Sequence, residues 1–138
     1  MGGFEAFEHT ADVGVVATGD SLAEALSWAA IGMFSIIVDL DTVQFKSEIE
    51  VSVSSTDSET LVVDWLNELL FRYEADGFLP AEFRVAVGAD GASLSARCLG
   101  EPVESGRHTF LTAVKAATYH DLKVTHNGEW RIQVVLDV

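Results

Sequence analysis

Apolar residues recur every three or four positions in two long stretches of the chain and alternate with polar ones in several shorter stretches, which predicts two helices among strands. Leu22, Leu26, Ala29, Met33, Ile36 and Leu40 share one helical face for about five turns, with Trp28 and Met33 assigned to the core. Ser21 and Glu24 have the spacing of a capping box, so this helix begins near Leu22. Val62, Trp65, Leu66, Leu69 and Tyr73 mark a second helix, entered through a Thr56 and Glu59 capping box and closed by Asp76-Gly77. Glu59, Asp64, Glu68 and Arg72 lie off that stripe and read as a solvated face.

The alternating stretches read as strands. Phe4 to Glu8 and Val13 to Thr18 are extended, interrupted at His9 to Asp12 by small and polar residues. Ile49, Val51 and Val53 form a further strand. Phe83, Val85 and Val87 lead through a Gly88-Ala89-Asp90-Gly91 turn into Leu94, Ala96 and Cys98, followed by a loop from Gly100 to Gly106. The chain is extended again from Thr112, and Asn127-Gly128 is the strongest hairpin signal. A turn of those two residues alone sets Thr118 opposite Asp137 and His120 opposite Val135, with His120 diagonal to Asp137 on the same face. Trp130, Ile132, Val134, Leu136 and Val138 then face the core. The expected fold class is α+β, one compact domain over residues 1–138, with largely antiparallel sheet packed with two main helices.

Composition narrows the function. With 138 residues, 49% of them apolar, the chain can bury a core without disulfide or metal staples. The single cysteine, Cys98, reads as a reduced, half-buried thiol, which favours a cytoplasmic address. The start of the chain lacks the pattern of a signal peptide, and the longest apolar run, Ala29 to Val38, is about half the roughly 20 residues that span a bilayer, so a soluble protein is expected. Twenty-two acidic residues against eight Lys plus Arg give a net charge of −14, which argues against direct nucleic-acid binding. Such acidity suits a basic protein partner, a hard cation or a solvated surface adapted even to a salty cytoplasm.

Three places carry the chemistry: Glu8-His9-Thr10-Ala11-Asp12-Val13-Gly14, Lys115-Ala116-Ala117-Thr118-Tyr119-His120-Asp121, and Leu136-Asp137-Val138. The alternating pattern runs to the last residue, so Asp137 and the carboxylate after it are expected to be held in place and to need a cation or donor group. Taken alone, Asp12 is a loop or helix-capping carboxylate, and His9 is a structural or interface histidine. A metal-dependent hydrolase built on His9, Asp12, His120 and Asp121 competes with a cation-binding regulator unconnected to RNA. The hydrolase lacks a spacing-specific motif such as His-Glu-x-x-His, and without a Gly-x-x-x-x-Gly-Lys loop no independent GTP site is expected.

His9-Thr10-Ala11-Asp12, the helix start Gly19-Asp20-Ser21-Leu22-Ala23-Glu24-Ala25, Met33-Phe34 and Lys115-Ala116-Ala117-Thr118-Tyr119-His120 together resemble the archease family, nearly end to end. The resemblance implies an archease-like α+β fold and a non-catalytic accessory protein for an RtcB-type RNA ligase. That ligase joins a 3′-phosphate or cyclic-phosphate RNA end to a 5′-hydroxyl end. The accessory protein promotes its guanylylation by GTP and its multiple turnover in tRNA splicing and RNA repair, meeting tRNA or other RNA only through the ligase. It also implies a divalent-cation site, for Ca²⁺, Mg²⁺ or Mn²⁺, at Asp12, Asp137 and the main-chain or terminal oxygens of Val138. Lys115 matches a functional lysine of the family, with His9 and His120 as further partner or activation residues. Two positions depart from the family pattern, which commonly has a larger apolar residue at Ala117 and isoleucine at Val138; both changes stay compatible with a strand.

Overall fold

Alternation and helical periodicity resolve into two antiparallel sheets that share two helices. The computed structural model describes residues 2–9 and 12–138, with residues 7–9 described in backbone only. β1 (Gly3–His9) and β2 (Asp12–Gly19) pair as a hairpin and are followed by α1 (Leu22–Ile37). A 3₁₀ turn (Leu40–Thr42) leads to β3 (Ser47–Ser54) and α2 (Ser58–Asp76). β4 (Phe78–Val87) and β5 (Ser93–Pro102) form a second hairpin, and β6 (Ala116–His126) and β7 (Trp130–Asp137) a third. The strand orders are β1-β2-β7-β6 and β3-β5-β4. The expected α+β class with antiparallel sheet and two main helices is therefore observed.

Both helices touch both sheets, α1 through β2 and β4 and α2 through β6 and β3. This explains why α1 is apolar over more than one stripe: Ala25, Ala30 and Phe34 are buried along with Leu22, Leu26 and Met33, while Trp28 is only partly buried. Phe83 of β4 stacks on Phe34 at 6.1 Å and meets the edge of Trp65 at 5.9 Å, joining α1, α2 and the second sheet. Each such ring pair adds about 0.5–1.5 kcal/mol beyond its area. The buried Trp65 indole N–H donates to the Leu26 carbonyl at 3.0 Å, so the large side chain buries no unpaired donor.

Helix ends follow capping chemistry, with shifts from the expected positions. Ser21 Oγ accepts from the Glu24 N–H at 3.0 Å, and Glu24 returns a carboxylate to the Asp20 N–H at 2.6 Å. α1 stops at Ile37, a turn short of the expected end, and Leu40 belongs to the 3₁₀ turn. The cap of α2 is Asp57, bonded to the Thr60 N–H at 2.7 Å, rather than Thr56. Thr56 and Asp57 are both good cap residues, and Asp57 is the one whose carboxylate accepts from the helix N-terminus. Asp64 on the expected solvated face accepts from Ser55 Oγ at 2.6 Å, and Glu68 pairs with Arg72 at 2.9 Å.

The region expected as a loop from Gly100 departs most. β5 runs on to Pro102, Cys98 is fully buried rather than half-buried, and burial pushes its thiol up to about 12, making it inert. Glu101, 1% exposed, accepts from the Gln44 N–H at 2.6 Å, from His108 Nε2 at 2.9 Å and from Arg107. His108 Nδ1 accepts from the Glu104 N–H at 3.0 Å, which places the ring proton on Nε2 for donation to Glu101. Desolvation is the largest influence on Glu101 and favours its neutral form. The bonds from Gln44, His108 and Arg107, with the Arg107 charge, together outweigh it and hold the carboxyl at about 2 instead of 4.5.

Gly77, the C-terminal cap of α2, has φ +65° with open space around it, so Gly77→Ala is expected to cost about 1 kcal/mol of backbone strain. A Cβ on Gly100 would fall on the Leu79 carbonyl oxygen and within 2.7 Å of Pro80 Cα, so Gly100→Ala is expected to cost about 2–3 kcal/mol. Urea unfolding of both variants checks that order, and equal losses would contradict it. For Glu101 the folded carboxyl ionises near 2 and the unfolded one near 4.5, so its stabilisation is complete above pH about 4.5 and fades as pH falls toward 2. Glu101→Gln is expected to be less stable than the parent at neutral pH but to lose less across that interval; parallel acid limbs in urea midpoints would refute this.

Candidate functional site

β7 brings the two ends of the chain together. Its buried residues Ile132, Val134 and Leu136 pair with Ala17, Val15 and Val13 of β2 on the face that meets the core. Because side chains alternate, Asp137 must then pair with Asp12 on the opposite face. On its other side Asp137 pairs with Ala116 of β6, and Asp12 has His9 of β1 as its register partner. One cross-strand row thus runs His9, Asp12, Asp137, Ala116. The His9 side chain and residues Thr10 and Ala11 lie outside the described residues.

Directly opposed residues in such a row have Cβ atoms about 4.5–5.5 Å apart, so the two carboxylates stand side by side. Among the described residues neither carboxylate has a salt-bridge or hydrogen-bond partner. Ala116 contributes only a methyl group beside Asp137. The half-buried Val138 follows, and the Lys115 N–H donates to the Asp137 carbonyl at 2.7 Å, so the ladder continues past the strand end. The Lys115 side chain itself is exposed. Oxygen donors at this spacing suit a hard cation such as Ca²⁺, Mg²⁺ or Mn²⁺. Among the described residues no three His, Cys, Asp or Glu side chains cluster for a metal; the row supplies two carboxylates, and Val138 adjoins Asp137 in the chain.

His120 does not lie where the short-turn register put it. His126 pairs with Trp130, so three residues, Asn127, Gly128 and Glu129, intervene at the hairpin end. Nearer the site Thr118, not His120, is opposite Val135, and Ala116, not Thr118, is opposite Asp137. The difference is absorbed by a bulge between Thr118 and Lys123. His120 stands on it, 69% exposed, with Nε2 3.3 Å from Asp121. Asp121 has φ +51°, the only positive φ outside glycine among the described residues, and its carbonyl accepts from Gln133 Nε2 at 3.0 Å. No periodicity reveals such a bulge; the sole hint is a polar run, Thr118-Tyr119-His120-Asp121, inside a strand pattern.

Fold and site define a class: a small α+β protein whose first hairpin and last strand close on an opposed pair of carboxylates at the end of a sheet. The model of the Archease protein family matches residues 4–138. "Protein archease" of Methanopyrus kandleri is 38% identical over 138 residues, covering 98% of this chain and 99% of its own. That of Sulfolobus acidocaldarius is 35% identical over 136 residues, covering 98% of each. The solution structure of Methanobacterium thermoautotrophicum protein 1598 superposes with a TM-score of 0.86 at 34% identity, covering 99% of both chains. The chain belongs to the archease family.

The acidic pair has a measurable consequence. Without divalent cation, Asp137→Asn is expected to raise stability by about 0.5 kcal/mol, since like charges directly opposite on neighbouring strands repel. With millimolar Ca²⁺ the order should reverse, the parent gaining thermal stability and the variant gaining little. Thermal melts with and without Ca²⁺ read this out, and equal Ca²⁺ shifts in both proteins would remove Asp137 from the site.

Proposed function

We propose that this archease acts in the cytoplasm as a non-catalytic activator of an RtcB-type RNA ligase, promoting the ligase's guanylylation by GTP and its repeated turnover in tRNA splicing and RNA repair. The reading rests on family membership and on one observation, the register that sets Asp12 against Asp137 with no compensating group among the described residues. Such a pair fits a divalent cation held by Asp12, Asp137 and the oxygens of Val138. When bound, the cation neutralises the pair and offers a positive centre to phosphate oxygens. In this reading Lys115, whose main chain is tied to Asp137, supplies a positive charge at the rim that meets the ligase or the GTP phosphates. His9, as the backbone partner of Asp12, and His120, on the exposed bulge, are the flanking contact residues.

The deciding experiment is multiple-turnover RNA joining by the cognate ligase with GTP and Mn²⁺, with this protein absent, present, or present as Asp12→Ala. The parent should stimulate joining, and Asp12→Ala should lose at least roughly tenfold of that stimulation, the scale on which changes around a metal site act. Lys115→Ala should reduce ligase guanylylation specifically. No stimulation by the folded parent protein would sink the proposal and leave a cation-binding regulator in its place.

A further inference from the structure

The connection from β5 to β6 crosses the C-terminal end of α1. There the Leu111 and Thr112 N–H groups donate to the Ile37 and Ile36 carbonyls at 2.8 and 3.0 Å, and the Asp39 N–H donates to the Thr109 carbonyl at 2.8 Å. The Leu111 and Asp39 bonds together make a β-bridge between Val38 and Phe110. The Leu111 and Thr112 bonds satisfy carbonyls that the end of a helix leaves open. Any residue with a backbone N–H would serve, so the bonds do not explain why the two side chains presented here are phenylalanine and leucine. Phe110 is 42% exposed and Leu111 59%, and among the described residues they are the only large exposed apolar side chains adjacent in sequence.

Leu111 forms a ridge between two grooves. One, of about 210 Å³, is walled by Ile37, Tyr73, Phe110 and Val114 and also lined by Glu74. The other, of about 350 Å³, lies over Val38 and Leu40 and is lined by Asp39 and Asp41. The linings thus combine apolar walls with three carboxylates and no lysine or arginine, in a chain of net charge −14. The backbone beneath is tied by three hydrogen bonds, so little ordering is needed when something binds.

We propose that this face docks a segment of another protein in which a bulky apolar side chain is flanked by lysine or arginine. The apolar side chain fills the groove beside Leu111, and the cations lie against Glu74 on one side and Asp39 and Asp41 on the other. Burial supplies the affinity, while the charges select the partner and set its register. The surface is independent of the acidic row and does not rest on the ligase reading.

The probe is a short capped synthetic peptide with leucine and phenylalanine flanked by lysines. Two controls replace either the apolar pair by alanines or the lysines by glutamates. Amide shifts in ¹⁵N spectra should cluster at Tyr73, Leu111 and Val114, and neither control should reproduce them. Leu111→Asp should weaken binding by at least roughly tenfold, as loss of an interface anchor does. Glu74→Lys, on an exposed helix position, should weaken it independently and guards against misfolding of the first variant. Equal binding of the alanine control, shifts spread over the acidic surface, or shifts centred on Asp12 and Asp137 would overturn the proposal. So would concentration-dependent dimerisation that Leu111→Asp abolishes, since it would assign the face to a second copy of this chain.

Discussion

The position of β7 between β2 and β6 is the constraint on which the remaining structure depends. Its inner residues Ile132, Val134 and Leu136 are fully buried against Ala17, Val15 and Val13. Each such large side chain contributes about 1.5–3 kcal/mol through burial. A one-residue slip would turn all of them to the other face. Against this, opposing Asp12 to Asp137 costs only about 0.2–1 kcal/mol. The apolar face wins, so the core holds the acidic pair in place, and the pair does not need to stabilise the fold in order to persist.

The same competition accounts for β6. Near the hairpin the turn sets its pairing, with His126 opposite Trp130. Near the site the core sets it, because the buried Ala117 must pair with Leu136. These two registers are incompatible in a regular ladder, and the bulge between Thr118 and Lys123 takes up the difference. Its cost includes the left-handed backbone of Asp121. Its result is that Tyr119, His120 and Asp121 stand exposed beside the strand segment that borders the acidic row.

Glu101 performs a comparable task for the connection that precedes β6. A carboxylate with 1% exposure is tolerated because Gln44, Arg107 and His108 saturate it with hydrogen bonds. Residues from before β3 and from the β5–β6 connection are thereby clasped together. The connection is left rigid where it crosses α1, which is what presents Phe110 and Leu111 on a fixed backbone.

Periodicity determined the elements: the start of α1 at Leu22, the end of α2 at Gly77, the β4–β5 hairpin, and the inward face of β7 were all legible because each depends on neighbours a few residues away. The three places rich in chemistry were legible as residue types, and family motifs assigned them roles. Only the tertiary structure decided which of them meet. Asp12 and Asp137 are neighbours because β2 and β7 pair across nearly the whole chain length, whereas His120 is set apart by a bulge that arises from two conflicting registers. Glu101 falls within the predicted loop because its partners, Gln44 on one side and Arg107 and His108 on the other, come from two distant segments that share no spacing. Local patterns record which face of an element is apolar; which polar groups come to share a place depends on long-range pairing and packing, and these have no period in the sequence.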